Sequence, residues 1–196
     1  MLKAVVLFAA TSLGLAACTT LPDPGTPPDG EAAAAMTDDP SLSRHPTGAS
    51  RETIAQHPDG WRVEFAQLRQ ANGTMLPYCV ASRDYAPGLG LALHRRRGDH
   101  LALLIEAPNA RFGEGQTTVK LAVDRQAATP VNVLGLNPQL AAASIPNAQQ
   151  NDMLDRLAVG VTLTVANGAG RFAEFPLKGS GKAIAALNDC AATRLR

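Results

Sequence analysis

The sequence predicts a mainly β domain, an antiparallel β-sandwich or barrel of about eight strands with two short helices near the C-terminus. Three observations lead there. Apolar residues recur at every second position in one stretch after another, the spacing of a strand with one face buried. Turn-forming pairs such as Asn72-Gly73 and Asn167-Gly168 separate those stretches. Near the end, the apolar spacing changes to the three-and-four rhythm of a helix.

Each element has its own signal. Trp61, Val63 and Phe65 alternate with Arg62 and Glu64, and Asn72-Gly73 turns the chain into a returning strand from Tyr78 to Tyr85. Leu89, Leu91 and Leu93, then Leu101, Leu103 and Ile105, form a second hairpin around Arg96-Arg97-Gly98-Asp99. Thr117, Val119, Leu121 and Val123 alternate up to Asp124, whereas Val131 to Leu136 and Leu140 to Ile145 are weaker strands broken by Pro138 and Pro146. Asn147 is expected to cap a helix through Ala158, with Met153, Leu154 and Leu157 on one face. Val161, Leu163 and Val165 pair with Phe172 and Phe175 as a last hairpin, and Ser180 is expected to cap a helix from Gly181 to Arg194.

Length and composition divide the chain into residues 1–17, a leader; 18–58, a tether; and 59–196, a single β-rich domain. Hydrophobic residues make up 45% but aromatics only 4%, so the core must be aliphatic, with Trp61 and a few Phe as its larger pieces. From Thr19 to His57 there are two basic and six acidic side chains; from Pro58 onward there are 15 basic and 11 acidic. That mild positive excess falls short of a nucleic-acid footprint, and no nucleic-acid partner is expected.

The leader carries the most specific signal. Lys3 precedes a short apolar run, Ala4 to Ala10 and Leu13 to Leu15, that is too short to span a bilayer. It ends in Leu15-Ala16-Ala17-Cys18, which resembles the lipobox of bacterial lipoproteins: small residues at a cleavage site, then a thiol to receive diacylglycerol. The competing reading is a secreted protein with a chance cysteine. The resemblance implies a signal peptide, a palmitate-type lipid on Cys18 and a lipid-anchored place in the cell envelope. By the same resemblance, Thr19 rather than Asp after the cysteine favours the outer membrane of a two-membrane cell over retention inside the periplasm at the inner membrane. Residues 19–58 contain seven prolines, four successive alanines and several acids with nothing to bury, the composition of a flexible linker.

With Cys18 lipidated, Cys79 and Cys190 remain as an even pair in an oxidising compartment, and a disulfide between them is the natural reading. Two free thiols or a redox pair are the alternatives, although no Cys-x-x-Cys spacing supports a redox pair. The order of three stretches, Thr117 to Asp124, then Met153 to Leu157 leading into Gly160 to Val165, then Phe175 to Ser180 running into Ala183 to Leu187, is similar to that of invasion-associated locus B-like envelope proteins. The resemblance implies a β-rich periplasmic or surface domain without an established catalytic site.

Candidate chemistry is sparse. Lys178-Gly179-Ser180-Gly181-Lys182 has the look of a phosphate-binding loop, but Pro176 stands where its first glycine is required and Ala183 replaces the magnesium-binding hydroxyl. Helix capping is the plainer role. Arg95, Arg96 and Arg97, flanked by His94 and His100, make the most concentrated positive patch, a candidate site for phosphate or carboxylate groups of an envelope glycolipid, peptidoglycan or protein; ordinary solvation of a basic turn is the alternative. Two histidines with only Asp99 nearby make no convincing metal site, and no metal or other cofactor is expected. No catalytic residues are assigned: Ser180 lies outside a Gly-x-Ser-x-Gly elbow, and Asp84, Glu106 and Asp124 sit on separate strands. The expected function is therefore a non-catalytic structural or binding domain, with an envelope hydrolase or transferase using converging carboxylates, or an inhibitor of a periplasmic enzyme, as alternatives.

Overall fold

The computed structural model describes residues 49–98, 100–113 and 115–196. The leader, Cys18 and the tether up to residue 48 lie outside the described residues. The chain is mainly β, as its alternations predict, with ten strands in one antiparallel sheet rather than about eight. In chain order these are β1 (Ser50–Gln56), β2 (Arg62–Arg69), β3 (Met75–Ala86), β4 (Leu89–Arg96), β5 (His100–Glu106), β6 (Gly115–Val123), β7 (Thr129–Asn137), β8 (Leu140–Ile145), helix α1 (Asn147–Val159), β9 (Thr162–Asn167), β10 (Gly170–Pro176) and helix α2 (Ser180–Arg194).

Their order in the sheet is β1-β2-β3-β4-β5-β8-β7-β6-β9-β10. Two meanders therefore meet where β5 pairs with β8, with Leu103 opposite Ala143. The sheet is not a closed barrel, because β1 and β10 remain its two edges. β1 falls inside the stretch that reads as tether. Its sequence SRETIAQ shows no apolar alternation and its residues are largely exposed; the main-chain ladder from Ser50 opposite Gln67 to Gln56 opposite Arg62 holds it in place. A strand stabilised by its backbone pairing leaves no hydrophobic signature to read.

The two faces of the sheet differ. On the inner face, Trp61, Cys79, Leu91, Leu103, Leu121 and Phe175 share one core with Met153, Leu154 and Leu157 of α1 and with Ile184 and Leu187 of α2. The outer face of β2 to β5, β8 and β7 carries a second cluster built from strand residues, among them Tyr78, Val80, Ala92 and Leu104, against which Ala49 packs where the described chain begins. Burial on both faces explains why Leu101 to Ile105 is an unbroken apolar run. The outer positions of β6 and β10 are polar instead, with Thr118, Lys120 and Glu174 exposed.

Both helix starts depart from the caps the sequence suggests. Pro146 holds the N-cap of α1 at φ −55°, so Asn147 is already helical and no side chain caps the helix. At α2 the N-cap is Gly179 at φ +85°, a left-handed conformation suited to glycine. A Cβ there would come within 2.8 Å of Asp59, whose carboxylate pairs with Lys178 at 3.1 Å. Ser180 is displaced from the cap by one position and donates its hydroxyl to the Leu157 carbonyl at 2.6 Å, tying α2 to α1. Within the lysine-glycine stretch Gly179 and Ser180 are thus packed, while the Lys178 and Lys182 side chains are exposed.

One end of the inner face is closed by hydrogen bonds to the segment that follows β10. Trp61 is fully buried, and its indole N–H donates to the Lys178 carbonyl at 3.1 Å. Arg83 donates to the carbonyls of Lys178 at 3.0 Å and Pro176 at 3.3 Å, and the Tyr85 hydroxyl also donates to Pro176 at 2.9 Å. The guanidinium of Arg83 lies 4.6 Å from the centre of the Tyr85 ring. These bonds hold the end of β10 against β3, though no ladder joins the two strands.

Candidate functional site: an arginine cleft beside the disulfide

Cys79 and Cys190 form a disulfide, with Cα atoms 6.1 Å apart. It joins β3 to α2 and closes a loop of 111 residues, for which the chain-entropy account gives roughly 4.7 kcal/mol before any strain is subtracted. Opposite Cys79 on the neighbouring strand stands Arg95. Alternation along β4 places Arg95 on the inner face with Leu91 and Leu93, while Arg96 falls on the outer face opposite Tyr78.

The three arginines border one cleft but have different surroundings. Arg97 is engaged by the end of the chain: its guanidinium donates to the main-chain carbonyls of Leu195 and Arg196. Arg96 lines an open hollow of 380 Å³ with Met75, Leu76, Pro77, Arg97 and His100. His94 belongs to no basic tip. It is buried and stacks on Tyr78 with ring centres 5.4 Å apart, because it sits at an outward position of a strand whose outward neighbours are apolar.

Arg95 differs from both neighbours. It lines two clefts. One, of 310 Å³, is lined by Asn147, Gln150 and Asn151 from the first turns of α1. The other, of 190 Å³, is bounded by Asn188, Ala191, Ala192 and Leu195 from the end of α2 and by the three arginines with Gly98. The Arg95 Nε is buried and has no hydrogen-bond partner, and no ion pair to Arg95 forms among the described residues.

The amides around Arg95 are held in fixed orientations. Gln150 is 3% exposed and donates both protons of its side-chain amide, to the Ile145 carbonyl at 2.9 Å and to Asn147 Oδ1 at 2.8 Å. Asn147 consequently presents N–H donors, and Gln150 presents its Oε1 acceptor. The sequence pointed to Arg95 but not to these partners. One signal was present: Gln150 occupies the position before Met153, Leu154 and Leu157 on the buried stripe of α1, where an apolar residue would be the default.

Of the three carboxylates singled out in the sequence, Asp124 has a structural role. Asp124, at φ +54°, accepts the main-chain N–H groups of Val161 at 3.0 Å and Thr162 at 2.9 Å, which fastens the end of β6 to the start of β9. Asp84 and Glu106 both register with Gly90 from opposite sides, so two strand spacings of about 4.8 Å each separate their backbones. Among the described residues no three His, Cys, Asp or Glu side chains are placed to hold a metal ion, and no helix is long and apolar enough to cross a membrane. No family model, no curated protein and no solved structure matches the chain.

Proposed function

We propose that the chain is a lipid-anchored protein of the bacterial cell envelope whose β domain binds or braces another envelope component without catalysing a reaction. The observation that carries this reading is Leu15-Ala16-Ala17-Cys18 at the end of a charged and then apolar leader. The Cys79–Cys190 disulfide supports it, because such bonds persist in oxidising compartments. Under this reading Cys18 carries the lipid, the proline-rich stretch spaces the domain from the bilayer, and the outer membrane is the favoured location in a two-membrane cell. Two or more acyl chains anchor far more firmly than one, since each buried methylene contributes about 0.8 kcal/mol.

The binding role is supported by where unspent polar groups lie. Asp124 is committed to backbone contacts, and Arg83 and Arg97 to carbonyls, whereas Arg95 faces two clefts. Metabolic labelling with a palmitate analogue tests the anchor. The native chain incorporates label and sediments with membranes, whereas Cys18→Ala incorporates none and is released; equal labelling of both would overturn the lipoprotein reading.

A further inference from the structure

We propose that the cleft between Arg95 and the start of α1 is a binding site for the terminal carboxylate of a peptide. The proposal gives a ligand class to the binding role above and rests on that reading, but not on the lipid anchor.

The cleft offers a specific set of groups. Arg95 lines the cleft, and a guanidinium grips a carboxylate through two parallel N–H groups; its Nε is buried, so the terminal nitrogens are the ones a ligand meets. Arg97, two residues further on, is paired.

The second element is the locked amide pair. Gln150 is buried, and its two N–H groups are held by Ile145 and Asn147, so its Oε1 faces the cleft as an acceptor. Asn147 keeps both of its N–H groups for a ligand, and Asn151 adds an adaptable amide at the rim. A cation with a fixed donor and a fixed acceptor beside it distinguishes among anions. A phosphate dianion would find one positive charge for two negative ones, and its oxygens would meet the Gln150 oxygen. A peptide terminus fits better: its carboxylate takes Arg95 and Asn147, and the N–H of its last residue donates to Gln150 Oε1. The single positive charge then balances the single negative one. A cleft of 310 Å³ admits about one or two small residues and lies at the lower end of the range of roughly 300–1,000 Å³ seen for ligand pockets.

The test uses the chain from position 18 onward with Cys18→Ala, which carries no lipid, so that failure here leaves the palmitate experiment untouched. Backbone amide shifts are followed by NMR during titration with N-acetyl-alanyl-alanine, with its C-terminal amide, and with inorganic phosphate. The free acid is expected to shift Asn147, Gln150, Asn151 and the Arg95 region, and the amide to bind at least about tenfold more weakly. Arg95→Gln should weaken the acid about tenfold or more while the Cys79–Cys190 bond and the melting temperature are retained. Asn151→Asp, an exposed substitution that places a negative charge at the rim, should weaken it as well. Equal binding of acid and amide, no saturable shift with either, phosphate binding in preference to the acid, or undiminished binding by both variants would overturn the assignment.

Discussion

Arg83 and Arg95 are the same residue type on the same face of neighbouring strands, at opposite ends of one core, and they meet opposite fates. Arg83 points at a stretch of chain that has left the sheet, where the carbonyls of Pro176 and Lys178 need donors, and it satisfies both. Arg95 points at the ends of two helices, where the Gln150 amide protons are already taken by Ile145 and Asn147. Burial alone does not separate a structural arginine from a binding one. What separates them is whether backbone carbonyls arrive within reach: two do at Arg83, whereas at the other end those of Leu195 and Arg196 go to Arg97.

Substitutions that attack the two ends should give effects of different size. Trp61→Ala is expected to be the most damaging, at about 3–5 kcal/mol, since it opens a cavity in the closed end and leaves the Lys178 carbonyl to Arg83 alone. Urea unfolding would measure it, and a loss below 1 kcal/mol would mean that β10 is held to β3 by something other than this contact. Replacing Cys79 and Cys190 together by Ala should cost about 2–4 kcal/mol and loosen the Arg95 end first. Hydrogen exchange would then rise in the last turns of α2 before it rises around Trp61; uniform acceleration would remove the distinction between the ends.

Arg83→Met should cost about 1–2 kcal/mol, because two carbonyls lose a charged donor while the Tyr85 hydroxyl still reaches Pro176. Arg95→Met is expected to cost nothing or to raise the melting temperature slightly, as it removes a buried donor with no partner. Thermal unfolding of the two variants side by side gives the sharpest comparison. If Arg95→Met lost more than Arg83→Met, Arg95 would be a structural residue and the cleft would have no claim to a ligand.

The inner-face positions of nearly every strand were legible from alternation, from Trp61 and Val63 through Val119 and Leu121 to Leu163 and Val165, because a half-buried strand repeats with period two. The Cys79–Cys190 bond is the one expected if Cys18 is set aside. β1 was not, since an edge strand held by its ladder needs no apolar face. Both caps were misplaced by one residue: Pro146 and Gly179 took the positions that Asn147 and Ser180 were expected to fill, leaving those side chains for bonds to Gln150 and to Leu157. His94 looked like part of a basic turn until the outer face of β4 proved to be packed.

What local sequence settled was the class of fold and the identity of its pieces: strands that alternate, and two late helices. Those follow from periodicity, composition and counting, which are local. The order of ten strands, the meeting of β5 with β8, and the different use of Arg83 and Arg95 were decided by tertiary structure. Strand pairing and hydrogen-bond supply depend on which distant backbone arrives opposite a side chain, and no spacing along the chain encodes that.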